Sequence, residues 1–223
     1  MFRYLGKLLP LAAMIAAVSC TIVKNDQNAG GASSRSDAFG LSGANSRFDP
    51  KEYAAEIWDT VVVPRVESMS EDYKTLIASL EADEDETSKK YGYRLIEEGN
   101  QYNFAVKGTV KLLAIDTSSR NGTVSLDFAP YDDVEDCLMS IGPVLRGSAL
   151  RDIQNTLSLN DFGNQVDFAR FAAELNNKVK ENILGDIDFS QAVGREADIT
   201  GAFTYEGRGG VIAIMPVKFN FRE

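Results

Sequence analysis

The segment Ile141–Gln165, IGPVLRGSALRDIQNTLSLNDFGNQ, concentrates the side chains that could do chemistry. Arg146, Arg151 and Asp152 stand among Gly142, Gly147 and other small residues, and Asn160, Asp161, Asn164 and Gln165 follow around Gly163. A guanidinium beside small residues can offer its planar fork to a carboxylate, a phosphate or a sugar hydroxyl. Asn, Asp and Gln add the mixed donors and acceptors that a polyol requires. Arg146, Arg151, Asp152, Asp161, Asn164 and Gln165 are therefore candidates for binding a small polar solute, a glycan or a protein partner. The structural reading of the same residues is that Arg151–Asp152 and Asp161 are internal ion pairs and turn caps that hold a long connection in place.

What the chain lacks is as informative. It contains no histidine, which removes the commonest general base and metal ligand and excludes His-based triads, His-metal hydrolases and haem–histidine sites. There is no C-x-x-C, no G-x-S-x-G and no Gly-rich phosphate loop with its lysine. A pair of carboxylates far apart in sequence could still hydrolyse a glycosidic bond, but nothing points to one. The expectation is a non-enzymatic protein with no catalytic residue, cofactor or metal. The acidic run Glu81–Glu86 lacks the alternating ligands and glycine of a calcium loop and reads as a solvated helix junction. Tyr102, Phe104, Phe128 and Tyr131 could stack bases or sugars. Phe104 and Phe128 fall at alternating strand positions and read as core, which leaves Tyr102-Asn103 and Tyr131 as surface candidates.

The chain carries 33 acidic against 23 basic residues, net charge −10. Such a chain repels nucleic acid and anionic lipid headgroups as a whole, though a local basic patch could survive, and no nucleic-acid partner is expected. Of two cysteines, Cys137 lies in an apolar alternation and reads as a small buried hydrophobe.

The other cysteine ends a distinct N-terminal pattern. Arg3 and Lys7 precede the apolar run Leu8–Val18, too short to span a bilayer, and small residues follow. Ala17-Val18-Ser19-Cys20 resembles the bacterial lipobox, with Ala17 where leucine is usual. The resemblance implies a signal peptide over residues 1–19 and an acyl (palmitate-type) anchor on Cys20 that holds the mature chain to the lipid bilayer, on the periplasmic side of the cell envelope. Thr21 rather than Asp after the cysteine suggests outer-membrane sorting, with inner against outer membrane left open. Residues 20–47, rich in Gly, Ala, Ser, Asn and Asp, bury too little apolar surface to fold and read as a flexible tether.

The elements that must position the candidates begin at residue 48. Asp49, Pro50 and Glu52 start a helix, with Tyr53, Ile57 and Val61 on one face, interrupted at Pro64. A second runs from Ser70 with Tyr73, Leu76, Ile77 and Leu80 aligned. From Tyr102 the period becomes two. Strands are expected at 102–112, 124–128, 137–141, 197–203 and 211–221, with a helix over 168–183 between the third and fourth. Pro216 suggests an edge or bulge in the last strand, and Gly108 and Gly201 suggest tight bends. The expected fold is α+β, an OB-like five-stranded β-barrel (β-β-β-α-β-β) preceded by an N-terminal helical cap. One globular domain would cover 48–223, with the cap at 48–98 and the barrel at 99–223. A generic α+β sandwich is the alternative.

FDPKEYAAEIWDTVVVPRV, YNFAVKGTV, IDTSSRNGTVSLDF, IGPVLRGSALRD, NDFGNQVDFA and the closing GAF and IMPVKF segments together resemble a bacterial family of predicted periplasmic lipoproteins catalogued as a domain of unknown function. The resemblance covers nearly all of residues 48–223. It implies a secreted, lipid-anchored protein and, because members are often encoded near sugar-uptake ABC transporters, an accessory role in solute uptake with a transporter component as partner. The alternative is a structural or assembly factor that docks a transporter and binds no small molecule. The family assigns no catalytic residues, so none carries over.

Overall fold

The computed structural model describes residues 48–95, 101–154, 157, 159–162 and 164–223. The segments expected to form a signal peptide (1–19) and a tether (20–47), with Cys20, lie outside the described residues.

The helical region opens as its capping signals predict. Asp49 caps α1 (Pro50–Ile57), its carboxylate accepting from the Lys51 and Glu52 amides. Pro64 does not end the helical path. A π-helical turn, Trp58–Val62, leads directly into α2 (Val63–Met69), with the proline in the first turn of α2. Proline is tolerated in a helix's first turn because its missing amide has no intrahelical partner there. A two-residue strand β1 (Glu71–Asp72) precedes α3 (Tyr73–Ala82), which Asp72 caps. Asp83 then serves two helices. Its amide closes α3 on the Ser79 carbonyl, and its side chain accepts from the Glu86 amide to start α4 (Glu84–Tyr91). The acidic run is thus the helix junction the sequence predicts.

Five strands form the barrel: β2 (Asn103–Asp116), β3 (Thr123–Phe128), β4 (Cys137–Ser140), β5 (Glu196–Thr204) and β6 (Ala213–Phe221). The hydrogen-bonded order β2-β3-β4-β6-β5 closes because β5 also pairs with β2. Only the β4–β6 pairing in this ring is parallel. The long β2 spans the closure, pairing with β5 along residues 103–111 and with β3 along 110–116. Gly108 and Gly201 sit where the wall is tightest. A β-carbon at Gly108 would stand 2.7 Å from the Phe128 ring, and one at Gly201 2.5 Å from the Met215 carbonyl oxygen. Register slips opposite Gly201, where Thr200 pairs with Lys218 but Gly201 with Pro216, so the bulge falls beside that proline.

Two cores result. Phe104, Val106, Val110, Leu112, Val124, Leu126, Met139, Cys137, Ile199 and Phe219 fill the barrel, and α3 joins them through Tyr73, Leu76 and Leu80. Tyr73 stacks on Phe128 with centroids 4.0 Å apart and donates its hydroxyl to the Asp136 carbonyl. The second core lies between the helices and the outer face of β2, β5 and β6, where Ala105, Ala202, Met215 and Val217 meet Trp58, Phe171, Leu175 and Val179. Its last residues belong to α6 (Gln165–Val179), which continues as a π-helical turn to Leu184 before Gly185.

Candidate functional site

The short helix α5 (Ala149–Asp152) follows the turn after β4 and lies against the ends of β2 and β5. Asn103 opens β2 and Thr204 closes β5, and their backbones are direct partners across the barrel's closing seam. Between them and α5 is a cleft of about 250 Å³ walled by Leu95, Gln101, Asn103, Ser148, Arg151, Asp152 and Thr204. Ordinary small-molecule sites run from roughly 300 Å³ upward, so this one has room for a small solute only.

Its polar groups are held by one another. Arg151 directs Nε and Nη2 to Asp152 Oδ1, each at 2.6 Å, and Nη1 to the Phe168 carbonyl at 3.3 Å. The guanidinium lies 3.8 Å above the Phe168 ring centre, so α5 is fastened to α6 by its own arginine. Asp152 Oδ2 accepts from the Ser148 hydroxyl at 2.6 Å. Thr204 donates to Asn103 Oδ1 at 2.7 Å, and Asn103 Nδ2 donates to the Tyr93 carbonyl.

The structure separates the residues that the sequence groups together. Arg151 and Asp152 line the cleft. Arg146 is exposed on the turn after β4 and is not among the lining residues. Asn164 caps α6, accepting from the Asp167 amide at 2.9 Å and donating to Asp167 Oδ2 at 2.7 Å. Gln165 is the exposed first residue of that helix. Asp161 lies in the 3₁₀ turn Leu159–Phe162, and its charge adds to burial in raising the Tyr53 phenol above its ordinary value. Three wall residues, Gln101, Ser148 and Thr204, carry no signal of their own in sequence. Asn103 is buried rather than a surface group, because both ends of its amide are engaged within the fold. Tyr102 and Tyr131 are half-buried, and Arg94 covers the Tyr102 ring at 4.5 Å.

No three acidic or cysteine side chains among the described residues stand together as a metal site. Cys137 is 3 % exposed, and burial pushes its thiol well above the usual range. It behaves as a core residue.

The family model for predicted periplasmic lipoproteins (DUF2291) matches residues 10–220. The chain belongs to that family. The lipoprotein is also similar to an OB-fold protein of Thermotoga maritima, whose crystal structure superposes with a TM-score of 0.65 at 19 % identity, covering 79 % of this chain and 100 % of the other. At that identity the likeness speaks for the fold, and it agrees with the closed five-stranded barrel. No curated protein matches the chain. Among the described residues no helix of the lipoprotein is long and apolar enough to cross a membrane.

Proposed function

We propose that this lipoprotein is a non-enzymatic binding module of the cell envelope, anchored through acylated Cys20 and serving solute uptake by holding a small polyhydroxylated solute in the α5 cleft. The observation that carries this reading is the composition of the wall. Six of its seven residues are polar, drawn from three separate segments, and they juxtapose a guanidinium, a carboxylate, amides and hydroxyls. That mixture suits vicinal hydroxyls, which donate and accept at once. A thermal-shift screen against neutral sugars and sugar acids tests it. A ligand at a hundred times its Kd adds about 2.7 kcal/mol of stability. Gln101→Ala, at an exposed residue with no side-chain hydrogen bond among the described residues, should weaken the shift while leaving the unliganded protein unchanged. Arg146→Ala should leave the shift intact. No shift with any member of the panel would remove the proposal.

A second reading has its own observation. The Arg151–Asp152–Ser148 and Asn103–Thr204 contacts satisfy one another without a ligand, as expected of a scaffold that docks a transporter component. On that reading, Arg151→Ala lowers stability and co-purification with the transporter persists in the absence of any sugar.

A further inference from the structure

Three cations lie on different segments that are tied together at one end of the barrel. Arg120 sits in the β2–β3 hairpin tip, Arg146 on the turn after β4, and Lys180 where α6 passes into its π-helical turn. The tip and the turn are laced together by three backbone bonds: Ile141 N–H to the Gly122 carbonyl, Gly142 N–H to that of Asn121, and Val144 N–H to that of Arg120. Gly142 packs directly on the Asn121 backbone, where any side chain would collide. Lys180 Nζ donates to the Pro143 carbonyl at 3.2 Å. The cations thus ride on a rigid surface beside a hollow of about 380 Å³ lined by Thr117, Ser118, Ser119 and Arg120. None of the three has a carboxylate within ion-pair distance among the described residues. Of the acids on these segments, Asp116 accepts from the Ser118 amide and Glu181 pairs with Lys178.

The opposite end of β3 carries the reverse charge. The loop from 129 to 136 and the strand end before it hold Asp127, Asp132, Asp133, Glu135 and Asp136 against two lysines, Lys74 and Lys111. Six residues of extended strand separate the two ends by about 20 Å. On a chain of net charge −10, this arrangement makes the barrel a charge dipole with one cationic pole.

We infer that Arg120, Arg146 and Lys180 form an electrostatic docking surface for anionic phospholipid headgroups, which turns the hairpin tip of the lipid-anchored protein toward the bilayer and its acidic loop away. The occupant follows from charge and place. A protein of a lipoprotein family is held beside a membrane, where headgroup phosphates are the abundant anions. Serine and threonine hydroxyls next to arginine suit phosphate oxygens. Three surface cations near an anionic leaflet raise the occupancy of the docked orientation on the order of a hundredfold.

The test uses the acylated protein in vesicles, its acylation verified by mass so that failure of the anchor is read separately. Cys137 is buried, so Ser118→Cys takes a fluorescent label alone, and Val134→Cys, 63 % exposed in wild type on the acidic loop, places the same label at the far end. Quenching by headgroup-brominated lipid is then measured with and without phosphatidylglycerol. The expected result is strong quenching at 118 and little at 134 in anionic vesicles. The difference should vanish at ~1 M NaCl, where the Debye length is ~3 Å, and in Arg120→Glu/Arg146→Glu protein whose near-ultraviolet dichroism matches wild type. Equal quenching at the two positions, or quenching at 118 indifferent to lipid charge and salt, would overturn the inference.

Discussion

Replacing Arg151 by alanine removes a fastening whose parts can be summed. The guanidinium makes two 2.6 Å contacts to Asp152 Oδ1, a 3.3 Å bond to the Phe168 carbonyl, and a stacking contact at 3.8 Å from the Phe168 ring. The side chains of Arg151 and Asp152 are 14 % and 17 % exposed, so the pair lies between a surface bridge, worth about 0–1 kcal/mol, and a buried one, whose disruption costs about 3–5 kcal/mol. About 2 kcal/mol is a reasonable share for the pair, and the cation–π contact adds about 1 kcal/mol. The expected loss of about 3 kcal/mol is read by urea unfolding as a fall of about 1–2 M in the midpoint at a typical slope near 2 kcal/mol/M. A double-mutant cycle with Asp152→Ala isolates the pairwise part, which should reach about 1–2 kcal/mol. Arg151→Lys should recover little, since a single ammonium cannot reproduce the fork or the stacking. A loss under about 0.5 kcal/mol would refute the account of α5 as pinned to α6 by this residue, and additivity in the cycle would refute the share assigned to the Arg151–Asp152 pair.

Gly201→Ala should cost about 3 kcal/mol, because the new methyl meets the Met215 carbonyl, which the barrel holds in place; Gly108→Ala should cost less, since the Phe128 ring can yield slightly, and denaturant titration orders the two. Asp83→Ala should cost about 1 kcal/mol by uncapping α4, visible as a matching fall in stability with little change in helix content. The buried Cys137 thiol has its pKa raised in the folded state, first by desolvation and then by Asp136. The native state therefore holds a proton that the unfolded chain releases near pH 8.5. The associated stability is present below that pH and lost above it, at up to about 1.4 kcal/mol per pH unit. Unfolding measured from pH 8 to 10 should show a shallower alkaline decline in Cys137→Ala than in wild type.

The sequence by itself determined the order of elements and the class of fold. Apolar alternation carries a strand's buried face whatever its partner, so Phe104, Phe128 and Cys137 were legible as interior positions. Asp49 and the Asp83 junction were legible because caps act over three residues, within reach of sequence alone. Pro64 was misleading for a related reason. A proline reads as a break, but the helical path reaches it through a π-helical turn whose Trp58 and Val62 are buried in the outer core, and Pro64 falls in the first turn of α2. The grouping of Arg146 through Gln165 rested on nearness along the chain, and only tertiary structure could divide it. Arg151 turns inward because Phe168 and Asp152 receive it; Arg146 stays outside on a turn locked to a hairpin some 25 residues earlier. The cleft itself depends on Asn103 meeting Thr204 across the closing seam, a register set by the shear of the whole barrel. Periodicity along one strand holds no record of which residue will face it from another.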